Sequence, residues 1–268
     1  FRFFYLALTT VSSGGFLSKN ALSKITANDF QIFILSLTLL FPIFNFYLLF
    51  KLSTKKFNFK DHQEDLHLLI VIAFTILFFY FLIIPEENLS NVFLAVTSSL
   101  STSGIAIYNS NYDISLFAIL LTLIGGSIIS TSSGLKYIRL YILLKISYQE
   151  IYKLVKPKNV FNRNLFSSGS KIFDEDSKIC FFIFISFIIS MFLLSSILTL
   201  DSLSFENSFK LSILTLTNTT SSTLFGMENL SFIDLNSFTK VSLVFFMIFG
   251  RIEIILLFFL LRNLFVKE

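Results

Sequence analysis

The sequence predicts an all-α polytopic membrane protein, built from repeated units in which a helix, a re-entrant loop and a second helix follow one another. Three observations predict this fold class: long apolar runs, a one-sided distribution of Lys and Arg, and three short polar strips at matching positions. Hydrophobic residues make up 54% of the 268, and the mean hydropathy is +0.78. Soluble domains are about 45–50% apolar, and the excess here is concentrated in the long runs.

Five apolar runs supply the predicted membrane helices. A helix needs about 20 mostly apolar residues to span a bilayer, and helix is the default because lipid offers no water to backbone groups. Four runs reach roughly that length, and the third does so when it is extended to Leu144. The runs are residues 32–50, 66–84, 114–129, 179–200 and 241–261.

Lys and Arg fall on one side of these predicted helices. They concentrate between the first and second runs, between the third and fourth, and after the fifth. Because Lys and Arg favour the cytoplasmic side, the first run is predicted to cross inward and the C-terminus to be cytoplasmic. The other linkers contain acidic residues and no Lys or Arg, and they are predicted to lie outside. They are residues 85–91, 108–113, 201–206 and 226–236.

Two short helical pieces, Leu89–Leu100 and Phe205–Leu216, lie between runs that leave and re-enter on the outer side. Each is too short to span a bilayer. The chain must therefore dip into the membrane and return at both places. Irregular backbone is tolerated at membrane depth where it is buried in protein or lines a water-filled cavity.

Three polar strips of small residues follow short helical pieces. Strip one is residues 9–16, strip two residues 98–105 and strip three residues 214–221. A desolvated cation needs oxygen ligands in place of its water shell, and backbone carbonyls beside small residues can supply them. The alternative interpretation of a single strip is a Ser/Thr-rich surface turn; three strips at matching positions favour an ion path.

These motifs resemble the TrkH/KtrB/HKT superfamily of potassium and sodium transporters, in which four such repeats in one chain surround one pore. The resemblance implies a potassium-channel-like fold around a pseudo-fourfold pore. It implies that the chain is N-terminally truncated, beginning in the second half of repeat two. The motifs are residues 12–16 (family STGGF), 102–104 (TTG), 125–136 (GGxxGSTxGGIK) and 250–254 (GRIEI here, family GRLEI).

By this resemblance the strips form a selectivity filter that binds K⁺, the transported ion, at backbone carbonyls, with no other cofactor. Gly14 and Gly104 would supply filter carbonyls. A flexible gate would lie beneath the filter, with Arg251 projecting towards it. The implied filter residues are Ser12, Ser13, Gly14, Gly15, Thr102, Ser103, Gly104, Asn218, Thr219 and Thr220, and the implied gate residues are Gly125, Gly126, Ser130, Thr131, Gly134 and Arg251.

The sequence departs from the family pattern at Thr220, which stands where the fourth filter motif, NVG, has glycine. A β-branched residue is costly at positive φ. Either the local turn differs there or the site coordinates a cation through a hydroxyl. The gate segment is also poorer in glycine than that of the family, so we expect it to move less readily.

Charged residues inside or beside the predicted membrane helices have two interpretations each. Arg251 is either half of an interhelical ion pair, with Glu253 pairing elsewhere, or a barrier to cations that binds gate-loop carbonyls. A mid-membrane charge usually faces the protein interior. Lys136 and Arg139 are either membrane-surface anchors or a docking site for the cytosolic nucleotide-binding regulatory ring (TrkA/KtrA-like) that the resemblance implies.

The predicted organisation has three parts. Residues 1–65 hold the pore loop and second helix of repeat two with a cytoplasmic loop. Residues 66–177 hold repeat three with its pore loop, broken inner helix and cytoplasmic loop, and residues 178–268 hold repeat four. The resemblance further implies a multi-pass protein of the bacterial inner membrane and a homodimer. The basic residues flank the predicted membrane helices, so the expected partner is a lipid bilayer and not nucleic acid.

Function classes other than transport are less consistent with the sequence. An intramembrane serine hydrolase would need a base at membrane depth, but His62 and His67 share one predicted cytoplasmic loop, so we expect no enzyme. The alternatives within the same fold are a Na⁺-permeable protein and a non-conducting regulatory paralogue. Because the first filter would precede Phe1, we expect this chain alone not to conduct.

Overall fold

A computed structural model describes residues 2–16, 28–54, 62–85, 87–106, 114–156, 164–166, 171–201, 203–227, 232 and 235–251. In these ranges every regular segment is helical, and a single isolated bridge pairs Asn164 with Lys171. The prediction of an all-α protein is therefore confirmed for the described part of the chain.

Ten α-helices follow one another in the described residues, with one π-helical turn at Phe79–Ile83 and one 3-10 turn at Thr223–Phe225. The helices are α1 (Arg2–Val11), α2 (Asp29–Thr38), α3 (Phe46–Ser53), α4 (Gln63–Phe78), α5 (Leu89–Leu100), α6 (Ser115–Ile124), α7 (Tyr137–Val155), α8 (Asp174–Thr199), α9 (Phe205–Leu216) and α10 (Ser237–Arg251).

Among the described residues, two helices are long and apolar enough to cross a membrane: α4 with its π turn, Gln63–Ile83, and α8. Only 17% of the most apolar window of Gln63–Ile83 is buried inside the protein, and 39% of that of α8. The Phe and Leu side chains of these helices therefore form broad outward-facing apolar surfaces, which soluble monomers rarely expose. The core helix of a soluble protein would be mostly buried, so this exposure favours contact with lipid.

The first apolar run, residues 32–50, is not the continuous helix that its length predicts. Helix α2 ends at Thr38 and α3 begins at Phe46. Pro42 lies between them, and proline has no N–H and clashes with the preceding turn of a helix. The prediction of an unbroken helix is wrong here, and the break leaves the carbonyls of Pro42 and Ile43 available to other segments.

The third run is broken as the glycine motif predicted. Helix α6 ends at Ile124, Gly125 follows with φ +64°, and α7 begins at Tyr137. We call residues 125–136 the central loop.

In the last run, α10 is described as far as Arg251. Residues 252–268, which include Glu253, lie outside the described residues.

The two short helices lie at the centre of the fold. Helix α5 packs on α2, α4 and α6, and α9 packs on α6, α8 and α10. Their bounds are those that the sequence predicted. Val96 and Leu100 of α5 and Leu214 and Leu216 of α9 are at most 1% exposed. Their burial explains why these helices can be short: protein, rather than lipid, surrounds their ends.

Asp201 fastens the start of α10 to the end of α8. Its Oδ2 accepts hydrogen bonds from the Asn236 N–H (2.8 Å) and the Thr239 hydroxyl (2.6 Å), and its Oδ1 accepts from the Asn236 side-chain amide. The Thr239 bond, followed by the Asn236 backbone bond, lowers the pKa of this carboxyl below its ordinary 3.8. These bonds favour the charged carboxylate over the protonated form.

Replacing Asp201 by Asn is expected to lower the thermal stability at neutral pH, because the three bonds from Asn236 and Thr239 lose their charged acceptor. Since the folded-state pKa is depressed, the stabilisation is fully present above 3.8 and is lost as the pH falls through the folded-state value. Melting temperatures of the two proteins should differ at about pH 5–7 and converge only as the pH falls below 3.8 towards the folded-state pKa. A difference that persisted unchanged at low pH would contradict this assignment.

Candidate functional site

Three helices end in the same turn. The N–H of the second residue after each helix bonds the carbonyl three residues back, and the next N–H bonds the carbonyl five residues back. This is the Schellman motif, in which the residue after the cap is left-handed. The bonds are Ser13–Thr10 (3.3 Å) and Gly14–Thr9 (3.0 Å) after α1, Thr102–Ser99 (3.0 Å) and Ser103–Ser98 (3.1 Å) after α5, and Asn218–Thr215 (3.1 Å) and Thr219–Leu214 (2.8 Å) after α9.

The left-handed residues fix the register of the repeat. Ser13, Thr102 and Asn218 have φ of 53°, 57° and 50°. Gly15, Gly104 and Thr220 each lie two residues after the left-handed residue of their strip, so they occupy equivalent positions in the repeat. The sequence motif had matched Gly14 with Gly104, and the backbone shifts this correspondence by one residue to Gly15.

The strips meet at these equivalent positions. A Cβ added to Gly15 would overlap the carbonyl oxygen of Ser103, and one added to Gly104 would overlap the carbonyl oxygen of Thr220. Both glycines also have positive φ, of 63° and 67°. Strip one therefore lies against strip two, and strip two against strip three, with no room for a side chain at either contact.

The steric cost that the sequence predicted for a β-branched residue at position 220 does not arise. In strip three the left-handed residue is Asn218, and Thr220 is not among the described residues with positive φ. The turn therefore differs from that at Gly15 and Gly104. The Thr220 hydroxyl also points into the meeting place, where it donates a hydrogen bond to the Ser103 carbonyl at 2.6 Å.

The break in the first run holds the central loop in place. The Ser127 N–H donates to the Ile43 carbonyl (2.9 Å), and the Ser132 N–H donates to the Pro42 carbonyl (3.1 Å). From the other side, the Ile128 N–H donates to Oε1 of Glu64 at the start of α4 (3.0 Å). These partners were missed from the sequence, although a proline inside an apolar run was a visible signal.

The loop also bonds directly to the strips. The Ser13 hydroxyl lies 2.9 Å from the Thr131 carbonyl, and the Ser133 N–H donates to Oγ1 of Thr102 at 3.1 Å. Arg251 Nη1 donates to the Ser133 hydroxyl at 3.0 Å. Arg251 therefore lies next to the loop, as predicted, but it bonds the hydroxyl of Ser133 and not a loop carbonyl.

Lys136 belongs to the central loop itself. Its amino group bonds the Ser130 carbonyl (3.1 Å), the Ser130 hydroxyl (3.1 Å) and the Ser132 carbonyl (2.6 Å). It is half-buried in this position. The amino group therefore braces the loop, which neither the anchor nor the docking interpretation had anticipated.

A cavity of about 300 Å³ lies beside the loop. Residues 130–136 form one wall, and Phe187 of α8 and Phe249 of α10 form others. Arg139 and Arg251 also line it, so its charged groups are cationic. The structure thus brings the strips, the loop and Arg251 together in one region. Of the predicted filter residues, Ser12 is exposed, and its hydroxyl lies 3.5 Å from the Thr9 carbonyl at the end of α1.

The fold and this site define a helical bundle in which short helices end at a shared polar centre, and a loop held by hydrogen bonds contacts that centre. That architecture is similar to the crystal structure of the potassium transporter TrkH from Vibrio parahaemolyticus, with a TM-score of 0.80 and 20% sequence identity. The similarity covers 97% of this chain and 57% of the transporter chain, so this chain spans a little over half of that protein's length. The resemblance drawn from the motifs is thereby confirmed at the level of the fold.

The likeness is not visible in overall sequence comparisons. No family model matches the chain, and no curated protein matches it.

Proposed function

We propose that this chain is part of a membrane transporter that moves monovalent cations, K⁺ foremost, past the three polar strips. The observation that carries the proposal is that three strips, each beginning with the same helix-end turn, meet at Gly15, Gly104 and Thr220. The carbonyls of the strips supply the oxygen ligands that can replace the water shell of a cation.

The helix ends themselves favour a cation at this centre. The C-terminus of a helix carries a partial negative charge of about half an elementary unit. Helices α1, α5 and α9 all end two residues before the left-handed residue of a strip. Three such ends near one point lower the free energy of a cation there relative to an anion.

The membrane arrangement follows from the same proposal. Helices α4 and α8 would span the bilayer, α5 and α9 would be the inward limbs of re-entrant loops, and the C-terminus would be cytoplasmic. We further propose a bacterial inner-membrane homodimer, with a cytosolic nucleotide-binding ring docking near Arg139. Crosslinking through a cysteine at position 139 in membranes would test the docking surface.

Gating is proposed to depend on the central loop and Arg251. The complete gene product that contains this chain should take up ⁸⁶Rb⁺ in cells or proteoliposomes, with K⁺ competing for uptake. Arg251→Ala removes a positive charge and the bond to Ser133. A hydrogen bond to a charged group is worth about 1.5–3 kcal/mol, so uptake should rise roughly ten-fold or more.

Ile248→Ala is the control for this variant, because Ile248 lies on the same helix and is 47% exposed. Uptake that is the same in wild type, Arg251→Ala and Ile248→Ala would contradict the role of Arg251. Absence of cation uptake by the wild-type gene product would contradict the proposed function itself.

The second candidate is a Na⁺-permeable or non-conducting member of the same fold, which the Thr220 hydroxyl specifically favours. By donating to the Ser103 carbonyl, this hydroxyl reduces the negative potential that the carbonyl offers to a cation. Removing one such bond changes an interaction worth about 1 kcal/mol. Thr220→Gly should therefore raise the preference for K⁺ over Na⁺ by roughly five-fold.

Two further variants separate the hydroxyl from the size of the side chain. Thr220→Ser keeps the donor and should retain the wild-type ion preference, whereas Thr220→Val keeps the shape and should change it. The measurement is inhibition of ⁸⁶Rb⁺ uptake by competing Na⁺ and K⁺. Equal ion preference in all four proteins would show that the hydroxyl has no part in selectivity.

A further inference from the structure

The three left-handed residues share a second property that their backbone geometry does not require. Ser13, Thr102 and Asn218 each use the side chain to bond a segment outside their own strip. Glycine is the usual residue at this position of the motif, because it adopts positive φ without steric cost. Non-glycine residues at all three equivalent positions indicate that the side chains themselves are needed.

We propose that Ser13, Thr102 and Asn218 are positioning residues that lock the strips to the central loop and to α10, so that the loop cannot move without reshaping the cation site. The proposal rests on the proposed function, in which the strips bind the cation and the loop gates it. It adds that ion occupancy and loop position are coupled through these three side chains.

Strip one and the loop are joined by two bonds in opposite directions. Ser13 is 2% exposed, and its hydroxyl lies 2.7 Å from the Ser12 carbonyl and 2.9 Å from the Thr131 carbonyl, so one proton is shared between two acceptors. In return, the Thr131 hydroxyl donates to the Val11 carbonyl at 3.0 Å. Displacing the loop would break both contacts at once.

Strip two holds the loop through a backbone donor. Thr102 is fully buried; its hydroxyl donates to the Ser101 carbonyl (2.7 Å) and accepts from the Ser133 N–H (3.1 Å). A buried backbone N–H must find an acceptor, so this bond cannot be given up without a replacement. The same loop residue accepts the Arg251 bond through its hydroxyl.

Strip three is tied to the helix that carries Arg251. The side-chain amide of Asn218 donates to the Met247 carbonyl at 2.9 Å. Met247 precedes Arg251 by four residues, which is about one turn of α10. Movement of α10 would therefore act on strip three and on the loop together.

The physical consequence is a coupled pair of states. With the loop in place, the side-chain bonds support positive φ at Ser13 and Thr102 and thereby fix the direction of the next carbonyls, those of Gly14 and Ser103. With the loop displaced, that support is lost and the strips can relax to other backbone angles. A cation that prefers the ordered strips would also favour the placed loop.

The test measures exposure of the loop by the modification rate of a Ser127→Cys variant, because the Ser127 side chain is fully buried and becomes accessible only when the loop moves. The native Cys180 is first replaced by Ala, in the complete gene product in proteoliposomes. Ser13→Ala and Thr102→Val remove the proposed ties and should raise the modification rate by roughly five- to ten-fold, the loss expected for one hydrogen bond. Thr102→Ser retains the hydroxyl and should restore the wild-type rate.

Matched controls come from helices α5 and α9, outside the strips. Thr97→Val and Ser212→Ala make the same atomic changes at buried residues whose hydroxyls bond carbonyls of their own helix, Phe93 and Phe209. These controls should leave the rate unchanged. If Thr102→Val fails to fold, Ser13→Ala compared with Ser212→Ala decides the question alone. Equal rates in the tie variants and the controls would overturn the coupling.

A second arm adds K⁺. K⁺ should slow modification in the otherwise unaltered Ser127→Cys protein, and this effect should be lost in Ser13→Ala and Thr102→Val. Persistence of the K⁺ effect in both variants would overturn the coupling. ⁸⁶Rb⁺ uptake is measured in parallel, so a protein that shows the rate changes but takes up no cation would refute the proposed function and leave the coupling standing.

Discussion

Gly15→Ala is expected to abolish cation uptake. A methyl group on Gly15 would overlap the Ser103 carbonyl oxygen and approach the Thr220 hydroxyl to 2.6 Å, inside the 3.0 Å that real Cβ atoms keep. Positive φ adds about 1–2 kcal/mol for a residue with a Cβ, and overpacking adds about 1–3 kcal/mol. The sum of these costs is at least about 2 kcal/mol, which corresponds to a loss of uptake of roughly thirty-fold or more.

Gly14→Ala is the matched comparison, because it adds the same methyl group one residue earlier. There the nearest atoms are the exposed Ser12 hydroxyl at 3.2 Å and the Phe16 ring at 3.6 Å, and both side chains can move. The loss of uptake should be much smaller than for Gly15→Ala. The opposite order would mean that the register inferred from the left-handed residues is wrong and that Gly14 is the true equivalent of Gly104.

Gly250→Ala should also destroy uptake, although alanine normally stabilises a helix interior by about 1 kcal/mol relative to glycine. A Cβ at Gly250 of α10 would overlap the backbone of Leu216 at the end of α9. Because that neighbour is backbone, the strain is relieved by separating the two helices. Separation would draw Met247 away from Asn218 and Arg251 away from Ser133.

The expected cost of this overpacking is about 1–3 kcal/mol, seen as a lower melting temperature together with lost ⁸⁶Rb⁺ uptake. Val244→Ala, at an exposed position of the same helix, should change neither measurement greatly. A Gly250→Ala protein with raised stability and normal uptake would show that α10 does not depend on this close approach.

The sequence predicted the helical scaffold well because its signals are local. The bounds of α5 and α9 follow from short apolar pieces between polar linkers, and the interruption between α6 and α7 follows from paired glycines. Motif matching also brought the strips, the loop and Arg251 into one hypothesis. These predictions depend on propensity and hydrophobic pattern, which each segment carries by itself.

The partners within the site depend on which backbone groups approach one another, and the sequence carries no such distances. It placed Gly14 where the turn places Gly15, read residues 32–50 as one helix, and assigned Lys136 to a surface role. The hydroxyl of Thr220 and the bonds of Ser13 and Thr102 to the loop were likewise invisible.

What the sequence by itself determined is therefore an all-α chain with long apolar helices, two short buried ones and three polar strips of one kind. What only the tertiary structure decided is the register of those strips, their contacts with the central loop and the close approach of α10 to α9. The physical reason is that hydrophobic burial is set by residue type, whereas carbonyl direction and hydrogen-bond partners are set by packing across more than a hundred residues of chain, as between Ser13 and Thr131.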